Sequence, residues 1–179
     1  EMLRKAVRNN IFSPSDSLII ETNVLIDICD RNYEEALKDL SLLKSDRFET
    51  QFYLRPRYLY YANIYGLMNK PELEHAYYDS ARIFLEKKII DFPEDNRLYS
   101  SLGIAYAGLG FDGKAIYDGE KAVKLLPVSK EAYRGPFPIE DLALVYVMTG
   151  KYDKALEQID PYLSRSPSSG IPCSGVSKS

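Results

Sequence analysis

The only histidine of the chain, His75, lies beside two glutamates in the segment PELEH. Glu72, Glu74 and His75 could together offer carboxylate oxygens and an imidazole nitrogen to a metal ion. The same residues also suit the first turn of a helix, where acidic side chains interact favourably with the helix dipole. Because no second histidine and no nearby cysteine supports a metal centre, we predict no metal site. An enzyme that uses His75 is therefore the weakest of three functional alternatives.

Two further stretches resemble catalytic motifs only superficially. The segment SGIPCSGVS around Cys173 contains possible nucleophiles, but it lacks a strand–turn–helix context and a base. The segment GLGFDGK lacks the spacing of a phosphate-binding loop, and its glycines suit a turn between helices. We therefore predict no catalytic residue, no cofactor and no enzymatic activity.

The composition limits the possible partners. The 179 residues carry a net charge of −3, which argues against non-specific binding to nucleic acid or to anionic membranes. No apolar run approaches the length of a membrane span. Cys29 and Cys173 fit neither a disulfide framework nor a metal-binding pattern; we expect Cys29 in the core, Cys173 exposed, and a cytoplasmic location. We expect residues 1–14 to be the end of a preceding helix or a linker.

One face of a predicted helix has an unusual pattern of side-chain sizes in the segment LYSSLGIAYAGLG. Tyr99, Leu102, Gly103 and Tyr106 lie on that face at helical spacing. A glycine inside a helix costs about 1 kcal/mol relative to alanine, so Gly103 predicts a point where a second helix approaches closely. Gly110 is then expected at the C-terminal cap of the helix.

The same pattern recurs along the chain. An offset of 40 residues relates four landmarks of the segment to residues of matching type: Tyr106 to Tyr146, Gly110 to Gly150, Ala115 to Ala155, and Pro127 to Pro167. Self-similarity near this period indicates helix–turn–helix repeats that stack on one another.

These residues resemble the tetratricopeptide repeat, with tyrosine in place of its usual tryptophan. The best copy contains Tyr99, Leu102, Gly103, Tyr106, Ala115, Ala122 and Pro127; a second contains Ile139, Leu142, Ala143, Tyr146, Gly150, Ala155 and Pro167. A looser copy contains Tyr58, Tyr61, Ala62, Tyr65, Ala81 and Pro93, and residues 16–43 resemble a fourth. The resemblance implies an all-α fold, a right-handed superhelical solenoid of about four antiparallel helix pairs over residues 15–167. We expect residues 168–179 to form a disordered tail.

Departures from the repeat give further expectations. Seven extra residues before Ala81 add about two helical turns, so one long helix is expected from Pro71 to Asp91. Gly135, with the prolines on either side of Phe137, should break the helix between the last two repeats. Gly119 should leave room for a neighbouring side chain such as Tyr117, and Pro161 should kink or end the last helix.

Four segments also resemble the C-terminal repeat region of large bacterial signalling proteins: DRFETQFYLRPRYLYYANIYGLMNK, LGIAYAGLGFDGKAI, AVKLLPVSKEAYRGPF and EDLALVYVMTGKYDKALEQI. In those proteins such repeats follow a kinase, a nucleotide cyclase or a winged-helix domain. The resemblance implies a protein-interaction or scaffold module that regulates such a protein. Its partner would be another protein or peptide, or other domains of the same parent chain. A helical repeat domain that senses a small ligand is the second alternative.

In this family the first helix of each pair lines the concave surface. The resemblance thereby gives nine candidate groove residues: Tyr60, Asn63, Leu67, Arg97, Ser101, Ile104, Glu140, Asp141 and Leu144. Arg97 is expected near Tyr60 and Asn63 as a mildly cationic floor, with Glu140 and Asp141 as an acidic wall.

Overall fold

A computed structural model describes residues 17–163, and for residues 161–163 it describes the backbone alone. Helices account for 72% of these residues, which agrees with the predicted all-α class. Eight helices and two short strands lie within residues 17–163. The helices are α1 (Ser17–Cys29), α2 (Tyr33–Ser41), α3 (Arg57–Leu67), α4 (Pro71–Asp91), α5 (Asn96–Gly108), α6 (Asp112–Leu125), α7 (Pro136–Met148) and α8 (Tyr152–Leu163); the strands are β1 (Arg47–Glu49) and β2 (Leu54–Pro56).

Four similar turns join the helices in pairs. In each turn one residue has a positive φ, and the amide of the next residue donates to the carbonyl five positions back. This is the hydrogen bond of the Schellman motif, in which a left-handed residue ends a helix. The positive-φ residues are Arg31 (59°), Asn69 (56°), Gly110 (76°) and Gly150 (71°). The expected cap at Gly110 is confirmed.

A buried alanine follows three of these turns at the same distance. Ala36, Ala115 and Ala155 each lie five residues after the positive-φ residue. In the second pair the corresponding alanine is Ala81, twelve residues after Asn69. This distance exceeds that in the other pairs by seven residues, as expected from the sequence. The predicted long helix is confirmed, because α4 extends from Pro71 to Asp91 without interruption.

Neighbouring helices pack along the chain from α1 to α8, and α5 also packs on α7. Gly103 lies at the contact between α5 and α6, as expected. A Cβ atom at this position would lie 3.0 Å from the carbonyl oxygen of Ala115 and 3.2 Å from the amide nitrogen of Gly119. The close approach therefore involves the backbone of α6.

A two-stranded antiparallel hairpin precedes α3, and the sequence analysis predicts no strand there. Phe48 of β1 pairs with Arg55 of β2, and the Phe48 side chain is fully buried. The hydroxyl of Thr50 accepts hydrogen bonds from the amides of Phe52 and Tyr53, which stabilises the turn between the strands.

Two local expectations differ from the structure. Cys29 is exposed, because it lies about 140° around α1 from the buried Val24. The space at Gly119 is taken by Leu142, whose Cδ1 would lie 2.9 Å from a Cβ there, whereas Tyr117 is exposed.

Pro161 does not end α8, which continues to Leu163. The expected break at Gly135 and the two prolines lies between α6 and α7. Because α7 begins at Pro136, both prolines occupy its first turn, where the missing amide hydrogens have no helical partner. Pro167, Cys173, the expected linker at 1–14 and the expected tail at 168–179 lie outside the described residues.

Candidate functional site

The hairpin contacts all four odd-numbered helices, each in the first half of that helix. The hairpin therefore lies on a face that the four helices share, and it links them to one another through at least one contact with each helix. The contacts are the hydrogen bond from Tyr53 to Glu21 on α1 (2.6 Å), the edge-on ring contact of Phe48 with Tyr60 on α3 (4.8 Å between centroids), the hydrogen bond from Ser101 on α5 to the carbonyl of Leu54 (2.5 Å), and the ion pair of Arg55 with Asp141 on α7 (2.5 Å).

An open cleft of about 370 Å³ lies beside the hairpin on the same face. The odd-numbered helices supply most of its lining, largely from their second halves, and most of the lining side chains are apolar. Two of them, Leu25 and Leu144, are almost half exposed, at 47% and 44%. The lining residues are Leu25, Arg55, Leu59, Tyr60, Asn63, Tyr78, Ile104, Leu144 and Met148.

A network of paired polar groups lies behind two lining residues of the cleft, Arg55 and Tyr60. One terminal nitrogen of Arg55 donates a hydrogen bond to the Asp141 carboxylate, and the other donates one to the hydroxyl of Ser101 at 3.4 Å. The buried carboxylate of Glu21 accepts hydrogen bonds from Tyr53 and Tyr60. Burial and the Glu21 charge raise the pKa of both phenols well above the ordinary value, so both remain protonated donors.

The structure brings six of the nine candidate groove residues to this site. Four of them, Tyr60, Asn63, Ile104 and Leu144, line the cleft; Ser101 and Asp141 do not line it but bind the lining residue Arg55. Leu67, Arg97 and Glu140 are not among the lining residues.

Arg97 lies at the hairpin and forms no cationic floor. Its guanidinium binds the Asp95 carboxylate at 2.6 Å and the Thr50 carbonyl at 2.6 Å, with Glu49 at 3.4 Å. The expected position of Arg97 beside Tyr60 and Asn63 is therefore wrong. Two carboxylates and a carbonyl hold the Arg97 side chain at the hairpin. The arginine that lines the cleft is Arg55 instead.

Sequence reasoning missed Arg55 and four apolar lining residues: Leu25, Leu59, Tyr78 and Met148. One signal for Arg55 was present, because it stands between Leu54 and Pro56 in the run FYLRP. A charge within an apolar run indicates a buried and paired group, since an unpaired charge would be costly to bury, but Arg57 directly follows the same run and the signal does not distinguish the two arginines.

The acidic segment around His75 forms the first turn of α4. Glu72 and His75 are exposed there, as the helix-start interpretation expects. Within residues 17–163, no group of three or more histidine, cysteine or acidic side chains is arranged to hold a metal ion.

Asp118 is a buried carboxyl group on α6, outside the cleft. Burial, opposed by Lys121 and Lys114 and reinforced by Glu86, raises its pKa to about 6. Because this value lies above the ordinary value of 3.8, the folded protein retains a proton that the unfolded chain loses. The contribution of Asp118 to stability is therefore complete below the unfolded-state pKa and is lost as the pH rises through about 6.

We expect Asp118→Asn to stabilise the protein more at neutral than at acidic pH. The gain should grow between about pH 4 and pH 6 and reach about 1 kcal/mol above that range, a figure reduced for partial solvent screening. Urea denaturation across this range would measure it, with Glu94→Gln in the exposed loop before α5 as the control. A gain that is the same at every pH would contradict the assignment.

No helix among residues 17–163 is long and apolar enough to cross a membrane. No protein-family model matches the chain. No curated protein and no solved structure shows significant similarity to it.

Proposed function

We propose that this chain is a right-handed solenoid of four tetratricopeptide-like helix pairs that acts as a protein-interaction module. The four equivalent turns and the equivalent buried alanines support the repeat count. The arrangement of the odd-numbered helices also supports it, because the first helices of stacked pairs share one face in such solenoids. The proposed binding surface is the cleft on that face.

The observation that carries the proposal is an open, mostly apolar cleft in which the lining residues Arg55 and Tyr60 are already paired within the protein. Leu25 and Leu144 expose apolar surface next to Tyr60, as expected for a groove that receives apolar side chains of a helix or an extended peptide. The hairpin ties four helices together at one end of the cleft. A surface fixed in this way loses little conformational entropy when a partner binds.

The volume of the cleft would also accommodate a small molecule. A sensor for a polar metabolite, however, needs polar groups that converge on an enclosed space. Here Arg55 is directed to Asp141 and Ser101, and Glu21 accepts from two tyrosines, so these groups are occupied within the protein. A peptide or protein partner is therefore the better match.

We further propose, from the resemblance, that the module is a regulatory segment of a larger bacterial signalling protein in the cytoplasm. Its partner would be a separate protein or another domain of the parent chain, without contacts to nucleic acid or membrane by this segment. The reading frame upstream of Glu1 tests this directly. A frame that encodes no kinase, cyclase or winged-helix domain would contradict it.

A charge placed in the cleft should abolish much of the binding. We expect Leu144→Asp to weaken the binding of peptides selected from a phage-displayed random library by about tenfold or more, since it removes a central apolar anchor. Fluorescence anisotropy with the synthesised peptides measures the affinity. Leu156→Asp is the matched control, because Leu156 is an exposed leucine (60%) on α8, which contributes nothing to the lining.

The control substitution should change the affinity by less than about twofold. Peptides that bind the two variants and the parent equally well would show that the cleft is not the binding surface. The same conclusion would follow if the selection enriched no peptide at all.

A further inference from the structure

We infer that the cleft receives a basic amphipathic peptide, with apolar side chains in the cleft and a lysine or arginine at the rim beside α7. The inference rests on the proposed function, because it specifies the chemistry of the partner that this same cleft would bind. It is carried by the distribution of charge on the helices that line the cleft.

The four odd-numbered helices contain no lysine and only two arginines, Arg57 and Arg97. Neither arginine lines the cleft. Arg97 is held by Asp95, Glu49 and a carbonyl, and the Arg57 guanidinium lies over the ring of Tyr58 at 5.8 Å. All lysines of residues 17–163 lie on even-numbered helices or in loops. The odd-numbered helices therefore place no basic side chain in the lining of the cleft that could bind an acidic partner.

Acidic side chains outnumber basic ones around the cleft itself. Behind the lining residues Arg55 and Tyr60, two acidic side chains, Glu21 and Asp141, accompany one basic side chain, Arg55, so the acidic groups exceed the basic ones by one. Glu140 adds another acidic group at the rim. Its side chain is exposed, and it lies one helical turn before the lining residue Leu144. The carboxylates are thus next to the apolar surface.

This arrangement discriminates between partners by charge. A peptide with a lysine near its apolar anchor would place the ammonium group near Glu140 while the stem of the lysine covers apolar surface. An acidic peptide would bring a further negative charge to the same rim, and no cation of these helices lines the cleft to neutralise it. The charge of the partner therefore contributes to specificity, and its apolar side chains contribute most of the affinity.

The test uses the phage-displayed random peptides selected on the full chain, synthesised with their lysines and arginines intact and with one of them changed to glutamate. We expect the enriched peptides to be more basic than the library from which they came. We expect Glu140→Lys to lower the affinity for the basic peptides about three- to tenfold and to raise the affinity for their glutamate counterparts. Raising the salt concentration from about 50 to 300 mM should reduce the difference between the members of each pair.

Glu157→Lys is the matched control, since Glu157 is an exposed glutamate on α8, which contributes nothing to the lining. It should change the affinity less than about twofold. Peptides that lose binding on Leu144→Asp but are acidic, or are insensitive to Glu140→Lys, would overturn this inference and leave the proposed function standing. If no selected peptide depends on Leu144, both the inference and the proposed function fail.

Discussion

Asp141→Ala should lower the free energy of unfolding by about 2–4 kcal/mol, the low end of the cost of breaking a buried ion pair because the pair retains some exposure. The substitution removes the carboxylate that binds Arg55 at 2.5 Å. Arg55 would keep only the longer hydrogen bond to Ser101, and its charge would stay next to apolar side chains. The loss arises mainly from this uncompensated charge rather than from the pair itself.

Urea denaturation of the parent and three variants would measure this effect. Glu140→Ala is the matched control, because the neighbouring side chain is exposed and should cost less than about 0.5 kcal/mol. The double variant Arg55→Met/Asp141→Leu removes both charges of the pair and should recover part of the loss, since apolar side chains can replace a buried pair while the buried Glu21 loses a nearby cation. Equal costs for Asp141→Ala and Glu140→Ala would show that the pair does not hold the hairpin to α7.

The elements that could be predicted from the sequence depend on local signals. Pro71 suits a first helical position, and nothing between it and Asp91 breaks a helix, so both ends of α4 match the expectation. Gly110 and Gly150 mark turns because glycine adopts a positive φ without strain. Arg31 and Asn69 occupy the two equivalent turns, where the positive-φ residue is not a glycine and so could not be identified from the sequence in this way.

The hairpin could not be predicted in this way, because its strands are three residues long and their stability comes from distant contacts. Phe48 is buried against α3, and Leu54 accepts a hydrogen bond from Ser101, 47 residues later. An offset between repeats transfers positions from one helix to another, but it carries no information about a segment that occurs once. The repeat pattern therefore predicts Arg97 in the groove and does not identify Arg55.

The hairpin changes what the shared face of the four odd-numbered helices can do. It covers the first halves of these helices, so a partner has access mainly to the cleft beside it. Its aromatic tip extends the attachment further, since Phe52 stacks on Phe137 of α7 at 4.5 Å. The cleft is therefore short and firmly framed, and it fits a short peptide segment better than a long one that crosses all the repeats.

The packing of the helix pairs themselves should be most sensitive at Gly103. We expect Gly103→Leu to destabilise the protein by about 2 kcal/mol, because a larger side chain in a packed core forces the backbone to shift. The atoms that a Cβ would meet first, the Ala115 oxygen and the Gly119 nitrogen, belong to the backbone of α6 and cannot rotate away. Val145 of α7 limits the space on a third side, at 3.4 Å.

Gly113 allows the same substitution to be made without the contact. It also lies in a helix, but a Cβ atom there would meet nothing within 4 Å. Gly113→Leu should therefore be neutral or stabilise by up to about 1 kcal/mol, because leucine has the higher helix propensity. Thermal and urea denaturation of both variants would give a difference of about 2–3 kcal/mol. Two variants of equal stability would mean that α5 and α6 can separate at little cost, and the close approach of the pair would then contribute nothing to holding the repeats together.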